Sequence, residues 1–183
     1  AGHGGIDPST GKYTTFPSKC SKHEGQWHYE GETNRKYAAQ FIEEASKLGF
    51  ICMPVYHPYK DFSLESRTAL ANYYAKVYEN TIFLSFHSNA STNDHNGTGK
   101  ARGFVGFTYR NKGTAYNVLK AIAGGVVDVF NELGSTRSNH VWKAGFHVLR
   151  FTHMPAILFE LGFHDNYNDS MMIRDHESRQ MIV

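Results

Sequence analysis

Residues 154–163 read MPAILFELGF. Ala156–Phe159 is an unbroken apolar run, the length of a strand and uniform enough to be buried on both faces. Glu160 interrupts it before Leu161, Gly162 and Phe163. A carboxylate between apolar neighbours must be paired, protonated or working. The stretch therefore predicts a strand in a sheet covered on both sides, with an acid near its carboxyl end.

The same arrangement recurs upstream. Thr81–Phe86 (TIFLSF) reads as a second buried strand, followed at once by His87, and Phe104–Tyr109 as a third. Helical patterns separate them. Ala38, Phe41, Ile42 and Ala45 fall at i, i+3, i+4 and i+7 within 34–48, and Gly49 stops that helix. Ser63 caps a second helix carrying Leu70, Tyr73, Tyr74 and Val77. A third runs from about Thr114 to Leu133 along Leu119, Ile122, Ala123, Val126 and Phe130, with Gly134 as its end, and the chain is helical again from about Asp169. Residues 50–56 (FICMPVY) read as a strand, placed by Pro54 near an edge or a bulge. Residues 8–29 lack periodicity and read as a long surface loop, and 88–102 as a polar, Gly-containing one. The alternation predicts a single α/β domain over 1–183: three layers, α/β/α, around a mostly parallel twisted sheet with helices on both faces. The Ala1 end is expected to continue from a strand outside the chain. In such sheets ligands bind beyond the carboxyl ends of the strands.

Composition is consistent with this. The chain has 183 residues, enough to bury roughly 70% of its unfolded surface. Thirteen Phe and eleven Tyr supply a core, so disorder is excluded. A net charge of +2 argues against a dedicated nucleic-acid or membrane-surface protein, and no apolar run approaches the ~18 residues of a membrane span. No signal peptide is visible. Two cysteines, Cys20 and Cys52, define no disulfide framework and are expected as free thiols. Eleven histidines are unusual and direct attention to metal chemistry.

His3 lies in Gly2-His3-Gly4-Gly5, where glycines let the backbone turn and approach a ligand. Read alone, it is an ordinary loop histidine rather than a ligand. His87 at the end of a buried strand faces a cleft or is a hydrogen-bonded core imidazole. Glu30 and Glu32 precede the first helix, and both suit its dipole. Two histidines and a carboxylate suffice for a catalytic zinc site with one open position, and a carboxyl of raised pKa at Glu160 would suit a general base. These residues are scattered along the chain, so spacing by itself leaves the site open.

Five segments occur together and in order: GHGG-x-DP at the start, YEGETNR before the first helix, RTALAN in the second, SFHSNA after a strand, and MPAILFELGF near the end. In this the chain resembles the zinc-dependent N-acetylmuramoyl-L-alanine amidases of the amidase 3 type, bacterial cell-wall amidases and phage endolysin domains, over essentially its whole length. The resemblance implies one zinc ion held by His3, Glu30 and His87, with Glu160 as catalytic base. It favours Glu30 over Glu32 because the family's ligand glutamate usually stands four residues before an asparagine, here Asn34. It implies peptidoglycan as substrate, cleavage of the amide between N-acetylmuramic acid and L-alanine, and action at the cell wall, whether secreted, periplasmic or phage-delivered, by a monomer. Asn89, Arg67 and Arg150 are secondary candidates for substrate binding: Asn89 to orient His87 or touch substrate, Arg67 to pair with a carboxylate near the metal.

There are departures from the family. The stretch between Asp7-Pro8 and Glu30 is longer than usual and suits a lid or cleft wall, where His23, Trp27 and His28 are candidates for lining the cleft. Residues 91–102 are too short and too rich in Gly and Asn for the inhibitory helix of some members. Val105 stands where many members carry an acid. Two other functions remain to be weighed: a zinc peptidase cutting inside the stem peptide, and a wall-binding module without activity, which would not need Glu160.

Overall fold

A computed structural model of the chain describes every residue except Asp94 and Ser138. Strands β1 (Cys20–His23) and β2 (Gln26–Tyr29) form an antiparallel hairpin, pairing Cys20 with Tyr29 and His23 with Gln26. Its two-residue turn, Glu24-Gly25, has both residues at positive φ, as a tight hairpin requires. This corrects the reading of 8–29 as loop throughout. The hairpin escapes a hydropathy pattern because the side chains it buries include the polar Ser21, His23 and His28.

Helix α1 (Glu30–Lys47) follows β2 directly, four residues earlier than periodicity placed it. Its first turn is buried against the Gly2–Gly5 segment: a Cβ on Gly31 would lie 1.8 Å from the Gly4 carbonyl oxygen. The helix ends as predicted, with Gly49 at φ +84°, its N–H on the Ser46 carbonyl and the Phe50 N–H on that of Ala45. Residues 50–56 are a second correction. They form no strand, because no other described segment offers them a ladder, and Phe50 and Ile51 stay exposed.

Helix α2 (Leu64–Val77) starts where expected, with the Ser63 hydroxyl accepting from the Ser66 N–H. Then come β3 (Phe83–Asn89), β4 (Phe104–Thr108), α3 (Thr114–Glu132), β5 (Val141–Lys143), α4 (His147–Arg150), β6 (Ala156–Phe163), α5 (Tyr167–Arg174) and α6 (His176–Ile182). β5 and α4 are too short to leave a periodic signal. The main sheet has the order β3-β6-β4-β5. β3 and β6 are parallel, β4 and β5 are parallel, and β4 runs antiparallel to β6, so the sheet is mixed. No helix among the described residues is long and apolar enough to cross a membrane, and both cysteines are free.

Alternation along the strands sorts the core into two layers. Phe86, Phe104, Ile157, Phe159 and Leu161 pack under α1, α3, α5 and α6. Phe83, Ala156 and Leu158 face the other way, toward Ala71 of α2 and Val148 and Leu149 of α4. By the same period His87 and Glu160, paired across β3 and β6, stand on the α2/α4 side. On that side the helices leave a cleft.

Candidate active site

The cleft, about 570 Å³, has His3, His87 and Glu160 on its floor and Arg67, His147 and Lys19 on its walls. Glu30, the first residue of α1, comes up behind the histidines and is fully buried. Its Oε1 lies 3.3 Å from His3 Nε2 and 3.0 Å from His87 Nδ1. The same oxygen accepts from the Ser88 N–H at 3.3 Å and the Asn34 amide at 3.3 Å. Burial pushes the Glu30 carboxyl up, but the charge of His3 and the hydrogen bonds of His3 and His87 outweigh it and hold the group well below the usual carboxylate range. Burial pushes His87 down to about 4 against the pull of Glu30, leaving a neutral imidazole.

The set passes a simple test for a metal. One ligand atom from each of His3, Glu30 and His87 lies within 4.8 Å of the other two. Two tetrahedral zinc ligands at ~2.1 Å from the ion stand ~3.4 Å apart, close to the 3.3 and 3.0 Å separations from Glu30. A buried carboxylate and two nitrogen ligands are a zinc donor set.

Backbone conformation brings His3 to this point. His3 has φ +59°, the left-handed region that costs a non-glycine residue free energy. Two guanidinium groups hold it there: Arg35 Nη2 and Arg67 Nη2 donate to its carbonyl at 2.9 and 3.2 Å. Gly2 is needed for contact, since a Cβ there would fall 2.0 Å from the His87 ring. Arg67 therefore acts on backbone, bonding also to the carbonyls of Ala1 and Phe62, and pairs with Asp61 at 2.9 Å rather than with Glu30.

Glu160 is different from Glu30. Its Oε2 is buried and has no hydrogen-bond partner among the described residues. Burial first, then the charge of Glu30, push its carboxyl well above the usual range, while the Lys19 ammonium pulls the other way.

The remaining candidates fall elsewhere. Glu32 accepts from the Ile6 N–H at 2.7 Å, outside the cluster. The Asn89 side chain accepts from the Ala90 N–H at 2.8 Å and does not line the cleft. Arg150 is exposed and lies over the Phe151 ring, away from the cleft. His23 and His28 are buried within the fold. Residues 88–102 put no helix over the site among the described residues, Asp94 lying outside them. Sequence reasoning passed over three contributors. Arg35 hid inside the YEGETNR segment. His164, directly after ELGF, places Nε2 3.8 Å from Glu30 Oε2. Lys19 carried no signal beyond its charge.

Comparison with known proteins identifies the family and the fold. A family model described as N-acetylmuramoyl-L-alanine amidase matches residues 1–183. The N-acetylmuramoyl-L-alanine amidase CwlM of Bacillus licheniformis is 36% identical over 125 residues, 66% of this chain and 42% of that protein. The chain thus spans about two fifths of the length of that curated relative. The crystal structure of N-acetylmuramoyl-L-alanine amidase from Clostridium difficile 630 superposes with a TM-score of 0.71 at 27% identity, covering 99% of this chain and 86% of that one. The catalytic domain of CwlV, from Bacillus (Paenibacillus) polymyxa var. colistinus, shares the fold with a TM-score of 0.68 at 21% identity, covering 100% and 88%.

Proposed function

Because the chain belongs to the N-acetylmuramoyl-L-alanine amidase family, we propose that it hydrolyses the amide joining N-acetylmuramic acid to L-alanine in peptidoglycan, at the cell wall. Its cofactor is one zinc ion held by His3, Glu30 and His87. The observation that carries this reading is the convergence of those three ligand atoms within 4.8 Å, beside a buried carboxylate oxygen without a partner among the described residues.

When bound, zinc supplies a Lewis acid for the scissile carbonyl and lowers the pKa of water toward ~7. The protein's own groups do the rest. Glu30 stays anionic and His87 neutral, the protonation states a ligand needs. Glu160 Oε2, free of other bonds, accepts a proton from the attacking water. As the C–N bond breaks, the same carboxyl returns the proton to the alanine nitrogen. A carboxyl pushed upward by burial holds a proton long enough for this second transfer. Water oxygen ends on the lactyl carboxylate, and the peptide leaves with a free amine.

The test is digestion of a defined peptidoglycan by zinc-loaded protein, followed by mass spectrometry. New amino termini should be those of L-alanine. An internal stem residue as the new terminus would make the protein a peptidase instead. Release of nothing by a folded, zinc-loaded protein would leave a binding module.

A further inference from the structure

Of the two long-chain cations lining the cleft, Arg67 is spent. Its guanidinium is committed to three backbone carbonyls and to Asp61. Lys19 is exposed, lines the same cleft, and has no carboxylate partner among the described residues. Its ammonium is close enough to act on both Glu160 and His164.

Its position is built. The Lys19 carbonyl accepts from the Glu30 N–H at 3.0 Å, so the residue is tied to the first turn of α1, one step from the proposed ligand. Cys20 then enters the hairpin opposite Tyr29, and the Ser21 hydroxyl donates to the His164 carbonyl. Lys19 also has φ +59°, as His3 does. Two non-glycine residues line this cleft in the left-handed region, and one of them is a proposed metal ligand. Strain of this kind persists where the surroundings over-determine it, often at binding sites.

We infer that Lys19 is a specificity residue that binds a free carboxylate on the peptide side of the scissile amide. The inference rests on the amidase reading above and deepens it. On the amidase reading the carbonyl under attack is held beside Glu160, and Lys19 lines the same cleft, so an anion bound by Lys19 would belong to the part of the substrate next to that carbonyl. The acyl side, a lactyl ether on a sugar, offers no charge there. The peptide side carries carboxyl groups that occur free or as carboxamides, and an ammonium separates the two forms by charge.

The experiment uses two muramoyl-peptides that differ only in that carboxyl, free acid against carboxamide. Calorimetry on the full chain, zinc-loaded and carrying Glu160→Gln so that neither ligand is consumed, should give about tenfold tighter binding of the acid. That is the lower end for a charge-assisted hydrogen bond, because the ammonium is exposed. Adding Lys19→Met should erase the preference, and Lys19→Arg should keep it. With Glu160 restored, Lys19→Met should raise KM for the acid about tenfold relative to the carboxamide, while any change in kcat that follows from losing the ammonium near Glu160 should be the same for both substrates. Equal binding of both ligands by the parent, or equal weakening of both by Lys19→Met, overturns the inference. If the wild-type chain cleaves neither ligand, the amidase reading falls, while the ratio of binding constants still decides the role of Lys19.

Discussion

Two sets of histidines flank Glu30 and differ in what their ring nitrogens touch. His28 is wholly buried behind the site, with Nδ1 on the Ser170 hydroxyl at 2.7 Å and Nε2 on the Thr33 hydroxyl at 3.0 Å. Both nitrogens are engaged, so no lone pair is left for a metal. His3 and His87 each turn a nitrogen toward one carboxylate oxygen and meet the cleft. The same side chain is thus core on one side of Glu30 and part of the proposed ligand set on the other. Hydroxyl partners decide the first case and a shared anion the second.

The largest test of this contrast is His87→Ala. It should abolish stoichiometric zinc binding and reduce turnover to background, whereas His28→Ala should retain zinc. Metal analysis after dialysis checks both. Retained zinc in the first variant would remove His87 from the ligand set. A parallel pair sharpens the point for the carboxylates: Glu30→Ala should lose zinc and Glu32→Ala should keep it.

Next in size is Glu160→Gln. The swap conserves volume, and the missing charge is not a ligand, so zinc content and melting temperature should stay near wild type. Turnover should fall by roughly 10³–10⁴-fold, the upper part of the range for a positioned acid/base, since one group serves both proton transfers. Near-normal turnover in a folded, loaded protein would leave Glu160 with a structural role only.

A smaller effect is expected for the stability of His28→Ala. Removing the ring leaves the Ser170 and Thr33 hydroxyls without their partner in a buried site, a loss of about 2–4 kcal/mol. Urea unfolding of the zinc-free protein measures it, and a loss below ~0.5 kcal/mol, the level of a surface change, would show that the ring does not anchor this region.

The smallest is a pH dependence. Burial, then the neighbouring His164, hold His28 well below its ordinary value. The unfolded chain therefore binds the extra proton first. The His28 contribution is fully present above the unfolded value of ~6.5 and is lost as pH falls below it, by up to ~1.4 kcal/mol per unit. Zinc-free His28→Gln should show a shallower decline between pH 6.5 and 5 than wild type. Identical slopes would mean that His28 titrates alike in both states.

Much of the architecture is written locally. Ala38, Phe41, Ile42 and Ala45 mark a helix, Gly49 marks its end, and Ala156–Phe159 marks a strand, because each is a relation among neighbours in the chain. The ordered motifs likewise delivered His3, Glu30, His87 and Glu160 as a set. Tertiary structure alone decided the remainder. Residues 50–56 have a strand's composition, but a strand exists only when a second segment completes its hydrogen bonds. The hairpin 20–29 buries polar side chains whose partners, such as Ser170 and the His164 carbonyl, lie about 140 residues away. The direction of β4 against β6 leaves no mark in an apolar pattern. Glu30 and Glu32 are two residues apart on one helix turn; the family resemblance favours the first, and the approach of His3 and His87 to it supplies the physical contact that local pattern does not. Arg67 and Lys19 carry the same charge in the sequence. Packing commits one to backbone carbonyls and leaves the other facing the cleft, because partners are set by distances in space that no local pattern encodes.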